Sequence, residues 1–458
     1  MSPEQEKLVL ASLYDRLHDA VTYSPEGKAP AFSPQNIYFQ MTKNTVIKPS
    51  DFADMLSPVN PNGNQLSAEL FAAMVDKLPT VGPLWADSGD KLSDVYAMLA
   101  AANTDTKPAP DQQKLYDEAF AFLVTETETK DFRGNIKKIY NPSAIAQAYD
   151  EAKAAYIGAV SGYRTAYNGY DLTKKEDQRA FNAAAPMLQN LVDQTWNAWG
   201  RAGKAEVEEA QATLNSTIGD AVRLAIDQIG KATAAEHKLP SSTPGGFDWL
   251  PSYGVPTEWA SSDLHGPRLE FSSGYLNKSS SSQADSYGAQ AGGSFGLFHA
   301  SGGVEGEHKR ASAHMDAQNL KLEAELIAVS IVRPWFSPLL LGMSGWWIDN
   351  FAKGGLSNGD PQNPAGKLPL LPTGFVLAKN VKVTADFSSE DKKFISNTIS
   401  TKAEGGWGPF SFSGRYSHSD SKEEFEAKFD GGSLVFPGLQ LIAWINSVPR
   451  LSPPRDPK

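Results

Sequence analysis

Few residues in this chain are spaced as chemistry would require. Gly355-Leu356-Ser357-Asn358-Gly359 has the Gly-x-Ser-x-Gly spacing of a nucleophile elbow. In that motif a tight strand-to-helix turn pushes a serine hydroxyl out toward a carbonyl. Here Lys353-Gly354 precede it and Asp360-Pro361-Gln362-Asn363-Pro364 follow, a loop on both sides, so the spacing predicts a turn. Glu305, Glu307, His308, His314 and Asp316 resemble a metal cluster, and His308 and His314 share one side of a straight strand. Nothing in their spacing fixes a tetrahedral or octahedral ligand set, and a solvated, charged edge strand is the expected meaning. Glu423, Glu424 and Glu426 read the same way. There is no phosphate-binding glycine loop, no His-Glu-x-x-His, no calcium-loop spacing and no cysteine. The sequence therefore assigns no catalytic, cofactor-binding or metal-ligating residue. Carboxylates converging from distant loops leave no local pattern. A hydrolase with carboxylates at the junction of the helical and β halves accordingly stands as the alternative to the reading below.

The remaining chemistry is apolar. Trp335, Phe336, Leu339, Leu340, Leu341, Trp346, Trp347 and Ile348 fall within fourteen residues, the densest such patch in the chain. Burying one such side chain is worth about 1.5–3 kcal/mol, so the set must be covered by the chain's other half, a second subunit or lipid. With Phe298 and Phe410 on alternating strands, the residues Trp335, Phe336, Trp346 and Trp347 make up the candidate contact surface.

The elements that must position these residues follow from composition and period. The 458 residues carry a formal charge of −11 and 41% hydrophobic residues, ordinary values for a chain of more than one globular domain. An acidic surface without a Lys/Arg run disfavours nucleic acid and simple adsorption to anionic lipid. The polar start Met1-Ser2-Pro3-Glu4-Gln5-Glu6-Lys7 is no signal peptide, and Arg333, Pro334 and Pro338 break the most apolar region. The expected location is the cytoplasm, or outside it by a signal-independent route.

Residues 1–140 read as a helical, loop-rich region, with a helix from Ser2-Pro3 that places Leu10, Leu13, Tyr14, Leu17 and Val21 on one face. Residues 23–66 read as mostly loop, with later helices near 67–78, 91–102 and 111–126. Residues 141–238 read as a bundle of three long helices, about 141–170, 175–200 and 203–237. Tyr149, Tyr156, Tyr163 and Tyr170 recur every seven residues in the first, a packed seam. Leu239-Pro240-Ser241-Ser242-Thr243-Pro244-Gly245-Gly246 is a linker, and residues 247–458 turn to β-type runs.

Within 247–458 two segments repeat. Gly296-Leu297-Phe298-His299-Ala300-Ser301-Gly302 matches Gly408-Pro409-Phe410-Ser411-Phe412-Ser413-Gly414, and Leu326-Ile327-Ala328 matches Leu441-Ile442-Ala443. The copies span about 267–338 and 381–453. Phe410, Phe412 and Tyr416 alternate with Ser411, Ser413, Arg415 and Ser417, giving each copy one buried and one wet face. The expected fold is thus α+β and multidomain: an elongated helical bundle, then an antiparallel β-sandwich of two related copies. Its two halves should bury Leu326, Ile327, Val329, Leu441, Ile442 and Trp444 between them.

A long helical bundle joined to a Ser/Gly-rich β half resembles the architecture of water-soluble pore-forming toxins, a likeness carried by no motif. The function expected is non-catalytic binding or self-assembly, with a membrane-interacting, pore-forming-toxin-like protein as the sharper variant within that class. The expected partner is a second copy or another protein, then a lipid membrane, with no nucleic acid and no cofactor. In that variant Ser279 to Ser286 with its following strand, and Lys392 to Ala403, would rearrange into bilayer-spanning hairpins.

Overall fold

The computed structural model describes residues 2–22, 37–43, 45–105, 110–131, 133–170, 174–216, 221–243, 245–261, 263–272, 282–294, 297–300, 316–401, 404–415 and 424–457. It is a mixed α+β structure with antiparallel sheets. Three long strands form its axis: β11 (Asp316–Val332), β13 (Leu371–Asp386) and β19 (Ser433–Ser447). β13 lies in the middle and pairs antiparallel with both others. Shorter strands widen this sheet, while β3 (Lys77–Pro79) with β4 (Asp87–Lys91), β5 (Asn103–Thr104) with β12 (Trp346–Trp347), and β16 (Ser413–Arg415) with β17 (Glu424–Glu426) pair apart from it. β8 (Tyr253–Val255) and β9 (Arg268–Ser272) lie side by side along the outer edge of β11. β1 (Ile37–Met41), β2 (Val46–Ile47) and β18 (Lys428–Asp430) lie on β19.

The long strands bend together. The β11–β13 register shifts between Glu323 and Glu325, and the β13–β19 register shifts between Lys379 and Val381. At this level Asn380 has φ 53° and Gly438 φ 81°, the left-handed backbone that a bulge demands. The bulges divide the sheet into an upper half toward Val332 and a lower half toward Asp316.

Alternation sorts the side chains. On lower β11, Leu320, Leu322, Ala324 and Leu326 enter one core with Val381, Val383, Leu434 and Phe436. On upper β11, Ile327 and Val329 enter another core on the opposite face, with Phe71, Trp259, Phe375, Leu441 and Trp444. This corrects the expected packing of two copies face to face. β11 and β19 flank β13 within one sheet, so adjacent residues of a single strand point to opposite faces. Leu326 and Ile442 lie on one side, and Ile327, Val329, Leu441 and Trp444 on the other.

The helices are α1 (Pro3–Thr22), α2 (Gln65–Val75), α3 (Leu92–Met98), α4 (Pro110–Leu123), α5 (Ala144–Gly169), α6 (Lys175–Arg201), α7 (Lys204–Ser216), α8 (Ala221–Ala232), α9 (Ser282–Ser294) and α10 (Ser389–Ser400). α5 and α6 pack along their length, and the tyrosine seam lies between them. Tyr149 and Tyr156 stack against Trp199 and Trp196, and Tyr163 and Tyr170 against Phe181. The third expected helix is α7 and α8; α7 packs on α4, while α8 packs beside the 3-10 turn Leu99–Ala101.

Several elements lie where the sequence showed none. β6 (Val124–Lys130) and β7 (Ile136–Pro142) form a hairpin, of which only Val124 to Glu126 fall in the helix expected near 111–126. β1 comes from the region expected to be mostly loop, and Ile37 pairs with Ser447 across nearly the whole chain. Among the described residues no helix is long and apolar enough to cross a membrane.

Candidate functional site

The lower end of the sheet carries two long connections. Residues 273–315 join β9 to β11, and residues 387–432 join β13 to β19. Both leave from the same end, because Asp316 faces Asp386, Thr384 faces Ser433 and Lys321 faces Ser272. Each connection contains a helix with the same burial pattern. α9 buries Ala284, Tyr287, Gly288 and Ala291; α10 buries Asp391, Phe394, Ile395 and Thr398. Both sets fall at i, i+3, i+4 and i+7, one helix face turned to the sheet. α10 starts with a capping box: Ser388 Oγ accepts from Asp391 N–H at 3.0 Å, and the Asp391 carboxylate accepts from Ser388 N–H at 2.9 Å.

Short strands follow the helices. β10 (Phe298–Ala300) pairs with β14 (Gly405–Trp407), which pairs with β15 (Phe410–Ser411), so the two insertions are stitched to each other. Phe298 packs 6.3 Å from Phe412, and Phe410 packs 5.8 Å from Phe436 of β19. Ser411 N–H donates to Gln440 Oε1 at 2.7 Å, fixing β15 on the sheet.

α1 lies across this assembly. A Cβ on Gly288 would come within 2.5 Å of Lys7 O and 3.0 Å of Ala11 Cβ, so only glycine permits the α1–α9 approach. The Tyr14 hydroxyl lies 2.7 Å from Phe39 O and 2.9 Å from Gln283 Oε1, tying α1 to β1 and α9 together. The Glu6 carboxylate accepts the Leu297 N–H just before β10. Burial pushes that carboxyl up from its ordinary value, and the backbone hydrogen bond from Leu297 opposes the shift. Arg164 of α5 holds Asp19 of α1 at 2.7 Å.

The opposite face of the lower sheet is wet and charged. Lys321 lies 3.2 Å from Glu323, Arg268 also pairs with Glu323, and Glu325 accepts from Asn380 at 2.8 Å and contacts His265 at 3.1 Å. The lower strands are therefore amphipathic: hydrocarbon toward the insertions, charge away from them.

The candidate contact residues fall into two groups. Phe298 and Phe410 are buried among the insertions. Trp335, Trp346 and Trp347 are buried at the upper end and Phe336 is half-buried, packed against α3 and α8. Trp335 Nε1 donates to Ser252 Oγ at 3.3 Å, Trp346 Nε1 donates to Met343 O at 3.1 Å, and the Arg455 guanidinium lies 4.1 Å over Trp347.

Ser357 of the Gly-x-Ser-x-Gly segment is wholly buried. Its hydroxyl donates to Pro449 O at 2.8 Å, and its backbone bridges Ser452, so it anchors the C-terminal segment as a turn. Of the metal-like group, only Asp316 lies among the described residues, and among those residues no three His, Asp or Glu side chains gather as a metal site. Glu423, Ser279 to Ser281, Lys402 and Ala403 also lie outside them. The sequence reading missed α9 and α10 as helices; the signal was present in Ser388 three residues before Asp391 and in the spacing of Phe394, Ile395 and Thr398. Comparison with family models, curated proteins and solved structures finds no match to this chain.

Proposed function

We propose that this chain is a non-catalytic, self-assembling protein that enters membranes by releasing its two lower insertions as amphipathic β-hairpins. The observation that carries the reading is the placement of both insertions. Each interrupts a pair of antiparallel neighbours or near neighbours of one sheet, at the same end, with its apolar side on the sheet's apolar face. Unwinding α9 or α10 would let the flanking strands run on, with a register shift at each junction, because Leu320, Leu322, Leu434 and Phe436 take the even positions that are polar in the adjoining runs. One such shift lies between Asp316 and Lys321.

The sequence supports that continuation. Arg310-Ala311-Ser312-Ala313-His314-Met315-Asp316-Ala317 alternates polar and small or apolar residues, as does Glu424-Phe425-Glu426-Ala427-Lys428-Phe429-Asp430. Each insertion gives a hairpin arm about 20 residues, twice the ~10 that a tilted strand needs to cross a bilayer. The charges Glu305, Glu307 and Lys392 would then have to face a water-filled lumen. A bilayer tolerates no unpaired strand edge, so the hairpins imply a closed ring of chains. We read the two strand–insertion–strand units as copies of one ancestral unit, and the shared order of helix, short strand and long strand supports this. The α5–α6 hairpin is the part of the helical bundle that would supply reach.

The test uses the absence of cysteine. Ala300 and Gly405 are direct partners in the β10–β14 pair, at a spacing suited to a disulfide. The wild type should grow in particle size and release dye from phosphatidylcholine vesicles with and without cholesterol. The Ala300→Cys/Gly405→Cys variant should do neither when oxidised and regain both on reduction. Dye release from the oxidised variant equal to wild type, or a wild type inert toward every vesicle, would sink the proposal.

A further inference from the structure

Among the described residues, no strand pairs with the edge of β11 between β9 and β8. β9 covers Lys321 to Glu325 and β8 covers Ser330 to Val332. A loop closes part of the gap: Pro267 O accepts from Leu326 N–H at 2.9 Å. The approach is so close that a Cβ on Gly266 would overlap Leu326 O. Beside it lies a cavity of about 460 Å³, walled by the last turn of α1, one face of α5, the loop, and Leu326 to Ala328. That volume lies within the ~300–1,000 Å³ range of small-ligand sites.

The face that α5 turns to this cavity is Glu151, Ala154, Ala155, Gly158 and Ser161, one helical stripe. Gly158 is the informative member. A mid-helix glycine costs roughly 0.5–1 kcal/mol relative to alanine. A Cβ there would meet nothing within 4 Å, so packing does not require the glycine. What its absent side chain preserves is open volume. The lining includes the carboxylates Glu151 and Glu258 but no lysine or arginine, and neither carboxylate has an ion-pair partner among the described residues. His265, also in the lining, is held by Glu325.

We propose that this cavity binds an amphipathic cation: a hydrocarbon chain against Val21, Leu326 and Ile327, with an ammonium head between Glu151 and Glu258. A bound chain would bridge α1 to β11. On the reading of the function given above, which this consequence alone rests on, the ligand would hold the insertions down. Binding itself is independent of that reading.

The probe is decyltrimethylammonium below its micelle concentration, titrated calorimetrically into the full chain and compared with decanol and decanoate. One cation per chain is expected, with a raised melting temperature. Decanol should bind about two- to fivefold more weakly, as befits the loss of a solvent-exposed ion pair, and decanoate more weakly still. Gly158→Leu fills the cavity while favouring the helix, and should abolish binding without lowering the melting temperature of the unliganded protein. If Gly158→Leu does not fold, Ala155→Leu serves the same purpose. Glu151→Gln with Glu258→Gln should bring the cation down to the affinity of decanol. Unchanged cation binding by the filled variant, equal binding of decanoate, or many cations per chain would each overturn the assignment. Vesicle leakage without cation binding would refute the cavity alone; cation binding without leakage would leave the cavity standing and remove the pore.

Discussion

At its upper end the sheet passes from β11 to β13 through residues 333–370, and at its lower end it passes from β9 to β11 and from β13 to β19 through the helical insertions. The strands are the same; the closures differ. The upper connection is filled by Trp335, Leu340, Leu341, Trp346 and Ile348, all buried together with α3 and α8. Arg333 stands at its root, wholly buried, donating to Pro372 O at 2.7 Å and to Val75 O, the last residue of α2, at 2.6 Å. Burial pulls its guanidinium down to about 10, well clear of neutral pH, so a full positive charge sits on the carbonyl end of a helix. In the lower closure α9 meets α1 through Gly288 and Ala11, and α10 packs through Phe394 against Phe298 and Phe412. Irreplaceable volume and a backbone-bonded charge make one end fixed. On the function proposed above, docking of separately formed elements would make the other the releasable end.

The largest effect expected from this contrast is at the fixed end. Trp346 is completely buried, and Trp346→Ala should cost about 3–5 kcal/mol in denaturant unfolding. A loss below about 1 kcal/mol would mean that the upper end can collapse around the cavity, and the distinction between the two ends would fail.

The contrast was only partly legible in the residues. The apolar face of α1 and the tyrosine seam follow a helical period that local packing enforces, and both appear where the spacing puts them. The aromatic density at 335–348 announced a buried closure but not its cover, which comes from α3 and α8, more than a hundred residues away. The match of Leu326-Ile327-Ala328 with Leu441-Ile442-Ala443 pointed to two related strands, and both flank β13, but the matched residues face opposite sides of the sheet, Leu326 with Ile442 and Ile327 with Leu441. It could not say whether they face each other or share a sheet, because both arrangements give the same alternation. β1 pairs Ile37 with Ser447, and no local pattern encodes a partner that distant. β6 was hidden because Val124-Thr125-Glu126-Thr127-Glu128-Thr129-Lys130 continues directly from a helical run, although its alternating threonines favour a strand.

A second prediction tests whether the fixed end is uniformly well satisfied. Asp150 of α5 faces Tyr253, Val255 and Val332 in the upper half. Burial raises its carboxyl to about 6; Glu151 adds to the shift and Lys153 opposes it. The folded state therefore holds a proton that the unfolded chain, near its ordinary value of about 4, has lost. Stability falls as pH rises from about 4 to about 6, stays at the lower level above that, and carries no contribution below about 4. Asp150→Asn removes this deficit and should stabilise the protein at pH 7 on the order of 2 kcal/mol, with the gap closing below pH 4. A gap constant from pH 4 to pH 7 would exclude titration of Asp150 as its cause.

The smallest effect separates helix propensity from helix contact, and it uses two glycines inside helices. At Gly158 of α5 an added methyl meets nothing within 4 Å, so Gly158→Ala should show propensity alone and stabilise by roughly 0.5–1 kcal/mol. At Gly288 of α9 the same methyl would press on Lys7 O at 2.5 Å and on Ala11 Cβ at 3.0 Å. Carbonyl and helix backbone cannot turn aside as a flexible side chain does, so α1 must move off α9 or the helices must separate. Gly288→Ala gains the same propensity and loses the contact, and overpacking costs about 1–3 kcal/mol. The net should be destabilising by about 1 kcal/mol, opposite in sign to Gly158→Ala although the chemical change is identical. Thermal melting of the two variants side by side measures the difference. Protease cleavage of α1 should accelerate in Gly288→Ala and stay at the wild-type rate in Gly158→Ala. If both substitutions stabilise equally, α1 already yields to α9 without cost. It would then not be the element that holds the lower insertions in place.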